Sequence, residues 1–309
     1  MTIRPLEDLF VDRLEEIRKF RSSLEGTSGR RIILVTAGPG MGKSWLLRRF
    51  AQEAEARGKA RVLVDFRDGQ AYDVLTLVRR FRDQIDPAAF NRLTAAINEA
   101  TAPRLVFADH GGRAEAPAVN FAGAQLGDVR MGDVAGGSII KDNFFLVQTD
   151  NPLLLQAIED RVTQVFFACL ADLVAAGRTE LFLFDSYEQT SQEGDRWVSN
   201  AADRWIQGEL LQRIRDGRLP GVVVVLAGRR VPPALLEPEW AKVVGKLPLE
   251  LFTLDDVAEY LRQNRRLPNL SDAEIQTLYN AVQGNPQLLG IIGDNLERSA
   301  ARGLADDDW

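Results

Sequence analysis

Histidine and cysteine are almost absent from this chain: its 309 residues contain one of each, His110 and Cys169. A disulfide framework or a cysteine-rich metal site cannot be built from a single thiol, and a zinc site or a Ser-His-Asp triad lacks its usual partners. His110, beside Asp109 and a glycine pair, reads as a loop residue without a catalytic role, and Cys169 falls inside an apolar helical pattern and reads as core. Long hydrophobic runs are missing too. No stretch approaches the roughly 20 apolar residues that cross a bilayer. The start, MTIRPLEDLF, carries acids where a signal peptide needs a basic segment and an apolar run, so a cytoplasmic protein without a membrane partner is expected. Positive charge is not in excess either. A net charge of -6 gives no general attraction to phosphate backbones, so no nucleic-acid partner is expected, and basic pairs such as Arg79-Arg80 and Arg265-Arg266 read as solvated helix faces.

What is present is the ordinary mix of a globular protein, 45% apolar and 27% charged, in a length that suits one large domain or two smaller ones. Residues 5 to 25 place Leu6, Leu9, Phe10, Leu14, Ile17, Phe20 and Leu24 on one helical face, ended by Gly26. RIILVTA follows as a continuous apolar run, the pattern of a strand buried on both faces of a parallel sheet. WLLRRFAQEAEARG reads as helix and ARVLVDF as a second strand, giving the strand-helix-strand unit of an α/β sheet. Two helical stretches run to about residue 100, and a further one of about 25 residues begins at 151. ELFLFD and GVVVVLAG supply the third and fourth strands, separated by a helix around Trp197 to Ile214, and GKLPLELF is the candidate fifth. Beyond Leu254 only helices appear. The expected organisation is an N-terminal helical segment over 1–30, a parallel α/β domain over 31–250 and a small helical domain over 251–309.

Residues 110–150 break this pattern, being rich in glycine and poor in lysine and arginine. Written in fives they read VNFAG, AQLGD, VRMGD, VAGGS, IIKDN, with Val119, Ala124, Val129, Val134 and Ile139 in one column and Phe121, Leu126 and Met131 in another. This insertion resembles pentapeptide repeats, whose fold is a square right-handed β-helix. So few units cannot bury their own faces, so such a coil must stack on the parent domain or on another subunit. A glycine-rich hairpin or loop is the alternative.

The chemistry concentrates in AGPGMGKS, Ala37 to Ser44, which follows a buried strand and opens a helix. A polyphosphate needs converging backbone N–H groups, a helix N-terminus and a cation. Gly38, Pro39, Gly40, Met41 and Gly42 form the loop, Lys43 is the cation, and Trp45 follows at the helix start. Ser44 offers a hydroxyl to Mg²⁺, which keeps several waters and takes few protein ligands. Asp185, after the apolar run of ELFLFD, is the carboxylate expected on the magnesium side. The residue after it is Ser186, where many P-loop ATPases carry the glutamate that polarises water, and the nearest acid is Glu188. Glu188 reaches a water only if the segment turns back, and a solvated surface acid is the alternative.

With these motifs the chain resembles the STAND NTPases, including the AP-ATPase and NACHT types, over nearly its whole length. FVDRLEE at Phe10 to Glu16 resembles the hhGRxxE motif of that class, with Asp12 in place of the glycine. The resemblance puts Val11 and Arg13 near the base and ribose. VVVVLAGRR resembles the sensor strand, which implies Arg229 near the terminal phosphate, and GNPQLLGII resembles the GxP motif, which implies that Pro286 meets the nucleotide. The implied protein binds ATP or ADP with Mg²⁺ between an α/β domain and a helical lid, and the bound nucleotide controls homo-oligomerisation or a separate signalling partner, in prokaryotic defence or cell death. Hydrolysis is expected to be slow or absent, with Lys43, Asp185, Glu188 and Arg229 as the catalytic candidates. Two alternatives stand beside the switch: an AAA+ type motor or loader that turns ATP over continuously, and a scaffold that keeps its nucleotide as a structural ligand.

Overall fold

The computed structural model describes residues 13–68, 72–101, 152–191, 194 and 196–306. Val11, His110 and the period-five segment lie outside the described residues. Five strands form one parallel sheet: β1 (Ile32–Thr36), β2 (Ala60–Asp65), β3 (Glu180–Asp185), β4 (Val222–Gly228) and β5 (Val244–Pro248), in the order β2-β3-β4-β1-β5. The α/β class expected from the sequence is the observed one.

Burial explains which runs took which place. β3 and β4 are buried at every position and occupy the interior of the sheet. β2 and β5 are only partly buried and lie at the edges. Because side chains alternate across a strand, each central strand feeds two cores. Ile33, Val35, Leu181, Leu183, Val223 and Val225 pack under α1 (Leu14–Leu24) and α2 (Lys43–Glu55). Their neighbours Ile32, Leu34, Phe182, Phe184, Val222 and Val224 pack on the larger opposite face. That face carries α3 (Val74–Ile85), α4 (Asn91–Thr101) and α5 (Pro152–Ala175), with α6 (Ala201–Trp205) and α7 (Gln212–Arg215) joined by a π-helical turn over Ile206–Leu211. Cys169, at 1% exposure, is in this core as expected.

The helix expected from Trp197 begins later, at Ala201. Asn200 caps it by accepting a hydrogen bond from Asp203 N, and Trp197 is drawn aside to donate through Nε1 to the Asp203 carboxylate at 2.7 Å.

After β5 come α8 (Leu254–Glu259), a π-helical turn over Tyr260–Asn264, α9 (Asp272–Val282) and α10 (Pro286–Asp306). They build their own cluster from Val257, Tyr260, Leu261, Ile275, Val282 and Leu289, separate from the two sheet cores. Reciprocal capping boxes at Thr253/Asp256 and Ser271/Glu274 start α8 and α9. Arg265 corrects the expectation of a solvated face. It is 6% exposed, donates through Nε to Tyr260 Oη at 2.6 Å and pairs with Asp294 and Glu297. A charge of this kind stays inside only when carboxylates and hydrogen bonds compensate it.

Candidate nucleotide site at the carboxyl edge of the sheet

With every strand parallel, β1, β2, β3 and β4 release their chains at one edge, at Thr36, Asp65, Asp185 and Gly228. Ligands of open α/β sheets gather at this edge. The loop after β1, Ala37 to Gly42, turns there into α2, whose first residues are Lys43 and Ser44. Lys43 Nζ donates to the carbonyls of Ala37 at 2.9 Å and Gly38 at 2.7 Å, so its ammonium sits across the mouth of its own loop. Burial lowers its pKa, against the opposing pull of Glu188 and Asp185. Met41 is buried and anchors the loop, while Gly38 and Pro39 are exposed. Trp45 is 42% exposed at the start of α2, with the Arg48 guanidinium 5.9 Å above its ring.

The acidic side is built by a reversal of the chain after β3. Ser186 has a left-handed backbone (φ 55°, ψ 41°), uncommon for a residue with a side chain, and a 3-10 turn over Tyr187–Thr190 follows. Glu188 is thereby brought back to the sheet edge. Its Oε1 accepts from Arg229 Nε at 2.9 Å and its Oε2 from Arg229 N at 3.0 Å. The approach depends on a glycine, because a Cβ at Gly228 would stand 2.6 Å from Glu188 Oε2. Asp185 Oδ1 accepts from Ser186 N at 2.8 Å. Asp185 and Glu188 both lie near enough to Lys43 to act on its titration.

The turn is rooted in a buried polar network that the sequence reading missed. Tyr187 is fully buried and its hydroxyl donates to Asp203 Oδ1 at 2.7 Å. Asp203, also fully buried, accepts in addition from Trp197 Nε1, Ser199 Oγ and Gln207 Nε2. Among the described residues four donors and no cation satisfy this carboxylate, which makes it a rigid anchor for Tyr187, the residue before Glu188. Burial and the Asp203 charge push the Tyr187 phenol well above its ordinary range. The cap at Asn200 was the available signal. Arg67, after β2, was also missed: it joins Asp65 and approaches Asp185.

The C-terminal helices approach from the other side. Gln287 N donates to Gly40 O at 3.1 Å, so the start of α10 touches the loop between β1 and α2 directly. Gly40 has φ +73°, and a Cβ there would fall 2.5 Å from Gln287 Oε1. Pro286, half-buried, opens α10 beside this contact. Arg13, with a left-handed backbone at φ 98°, donates through Nη2 to Glu250 O at 2.7 Å and lies 5.1 Å from the Phe252 ring centroid. It therefore ties the start of α1 to the segment that leads into α8.

The donor set has the chemistry a magnesium nucleotide requires: a helix N-terminus behind a loop of backbone amides, an ammonium, a serine hydroxyl and a carboxylate at the end of a strand one removed from β1. Among the described residues no group of three or more acidic, histidine or cysteine side chains makes a separate metal cage, and no helix is long and apolar enough to cross a membrane.

No protein-family model matches the chain, and a comparison with curated proteins gives no match. Solved structures do align. Cdc6p from Pyrobaculum aerophilum is similar at 12% identity and TM-score 0.48, over 96% of this chain and 64% of that one. The ORC2 protein of Aeropyrum pernix, solved in ADPNP–ADP complexes, is similar at 14% identity and TM-score 0.45, over 90% and 60%. A structure described as a DNA replication initiation factor is similar at 15% identity and TM-score 0.40, over 96% and 67%. The chain thus spans less than two thirds of the length of the first two.

Proposed function

We propose that this chain is a magnesium-dependent ATP-binding P-loop NTPase that hydrolyses its nucleotide, with Glu188 as the base for the attacking water and Arg229 as the residue that restrains it. The observation that carries this reading is the double contact of Arg229 with Glu188 at the sheet edge, in electrostatic range of Lys43. Both Glu188 oxygens are taken up by Arg229, so Glu188 can orient and deprotonate a water only when Arg229 turns elsewhere. The terminal phosphate of ATP offers that alternative, since guanidinium groups favour phosphate oxygens. Mg²⁺ held from Ser44 and Asp185 would neutralise charge that develops on the phosphates.

Asp185, Glu188 and Arg229 as a hydrolytic set favour continuous turnover, as in the AAA+ type alternative, over a switch that only holds its nucleotide. The switch reading keeps one specific support, the Gln287–Gly40 bond, through which the C-terminal helices are poised to respond to what the loop binds. ATP turnover with and without Mg²⁺ and DNA, together with light scattering on the same sample, separates the two. Glu188→Gln is expected to bind ATP normally and to lose roughly 100-fold or more in turnover. Lys43→Ala is expected to lose about 3 kcal/mol of nucleotide binding. Unchanged turnover in Glu188→Gln removes Glu188 from the role of base, and full ATP affinity in Lys43→Ala sinks the site assignment. Slow turnover with ATP-dependent assembly restores the switch, and an oligomer or partner surface then becomes its output.

A further inference from the structure

β2 and β3 are neighbours, and their last residues, Asp65 and Asp185, are paired in register. Two carboxylates therefore leave the sheet side by side. Arg67 stands between them. Its Nε and Nη2 fork onto Asp65 Oδ1 and Oδ2 at 3.1 and 2.9 Å, and its backbone N donates to Oδ1 at 3.0 Å. Two guanidinium bonds and one backbone bond to a single carboxylate hold Arg67 in place, and from there Nη2 lies 3.8 Å from Asp185 Oδ2. Asp185 is nearly enclosed, its side chain 8% exposed, whereas Arg67 is 58% exposed.

We propose that Arg67, aimed by Asp65, is a positioning residue that acts as the counter-ion of Asp185 and sets how much Mg²⁺ the nucleotide site requires. The inference rests on the assignment of Asp185 to the metal side. A divalent cation drawn to Asp185 meets the guanidinium charge at close range, in surroundings where Asp185 is poorly screened by water. Arg67 must give way or be tolerated, and either raises the Mg²⁺ concentration at which nucleotide binding is half-complete. The charge also offsets the repulsion between these two adjacent carboxylates. A surface pair serving only to hold Arg67 on Asp65 would have no effect on the metal.

The test is binding of a fluorescent ATP analogue to the full chain in EDTA and across a Mg²⁺ series, in wild type, Arg67→Ala, Arg67→Lys and Asp65→Asn. Arg67→Ala is expected to lower the Mg²⁺ midpoint roughly three- to tenfold while leaving affinity in EDTA unchanged. Asp65→Asn, which releases the fork, shifts the midpoint the same way by less, and Arg67→Lys, which keeps the charge, stays nearer wild type. A midpoint that is unmoved or raised in Arg67→Ala overturns the proposal. So does a loss of affinity in EDTA, which would make Arg67 a phosphate ligand. Wild-type binding that ignores Mg²⁺ overturns the metal-side assignment of Asp185 as well, whereas Mg²⁺-dependent binding with an indifferent Arg67→Ala overturns the role of Arg67 alone.

Discussion

The loops carried by the sheet and the helices that approach them are held in opposite ways. The turn after β3 is rooted through Tyr187 in the Asp203 network, and α2, which begins at the loop after β1, is rooted through Glu53. Glu53 is 7% exposed and is met by Arg21 at 2.8 Å, Arg49 at 3.1 Å and Arg57 at 2.7 Å, which ties α2 to α1. Helices α8 to α10 are solid internally, yet they meet the loop after β1 at the Gln287–Gly40 bond, with Arg13 as a strap on their lead-in segment. Groups that must place protons and metal within tenths of an ångström need the first kind of support. An element that moves with a ligand needs the second.

The contrast can be broken at its strongest point. Asp203→Leu leaves four donors without their acceptor and is expected to cost about 3 kcal/mol in chemical denaturation, with turnover falling further than stability because Glu188 loses its mooring. Loss of stability with turnover intact in the folded fraction would show the network to be scaffold only. Next in size is Glu53→Gln, expected to cost about 2 kcal/mol near pH 7. Its sign with pH is fixed. Hydrogen bonds from Arg21 lead the causes that hold the Glu53 pKa at about 2, well below its ordinary 4.5. The contribution is thus fully present above about pH 4.5 and fades as pH falls toward 2. A wild-type-minus-variant difference that grows on acidification would refute this. The smallest global effect belongs to Gly40→Ala, about 1 to 1.5 kcal/mol, because a residue with a Cβ is strained at φ +73°. Here the contrast is sharpened, because the new methyl collides with Gln287 and should loosen the start of α10. Faster hydrogen exchange near residues 285–289, with the strands unaffected, is the expected result.

Much of the fold was legible because its central strands are continuous apolar runs, and IILVT, ELFLFD and VVVVLAG can be placed by composition alone. The loop over Ala37 to Gly42 could be placed between a strand and a helix because its signal is contiguous in the chain. Glu188 stood open between two readings, since only the left-handed Ser186 and the glycine at 228 decide that it returns to the site. Arg67 could not be found from spacing: more than a hundred residues separate β2 from β3, and their adjacency is a fact of topology. Asp203 falls within the helix expected around Trp197 to Ile214 and no motif marks it, and that helix begins only at Ala201. Arg265 shows the reverse error, a basic pair assigned to water although one member lies inside the C-terminal helices.

The Gly40 carbonyl belongs to the same peptide plane as the Met41 amide, and that plane is rigid. Any ligand that turns the Met41 N–H toward itself rotates the oxygen to which α10 is bonded, and any force on α10 turns the amide. The unit works as a lever with a load on each arm. Thermodynamic reciprocity then requires that whatever a bound phosphate does to the hold on α10, a partner that grips α10 does, by the same factor, to the affinity for the phosphate.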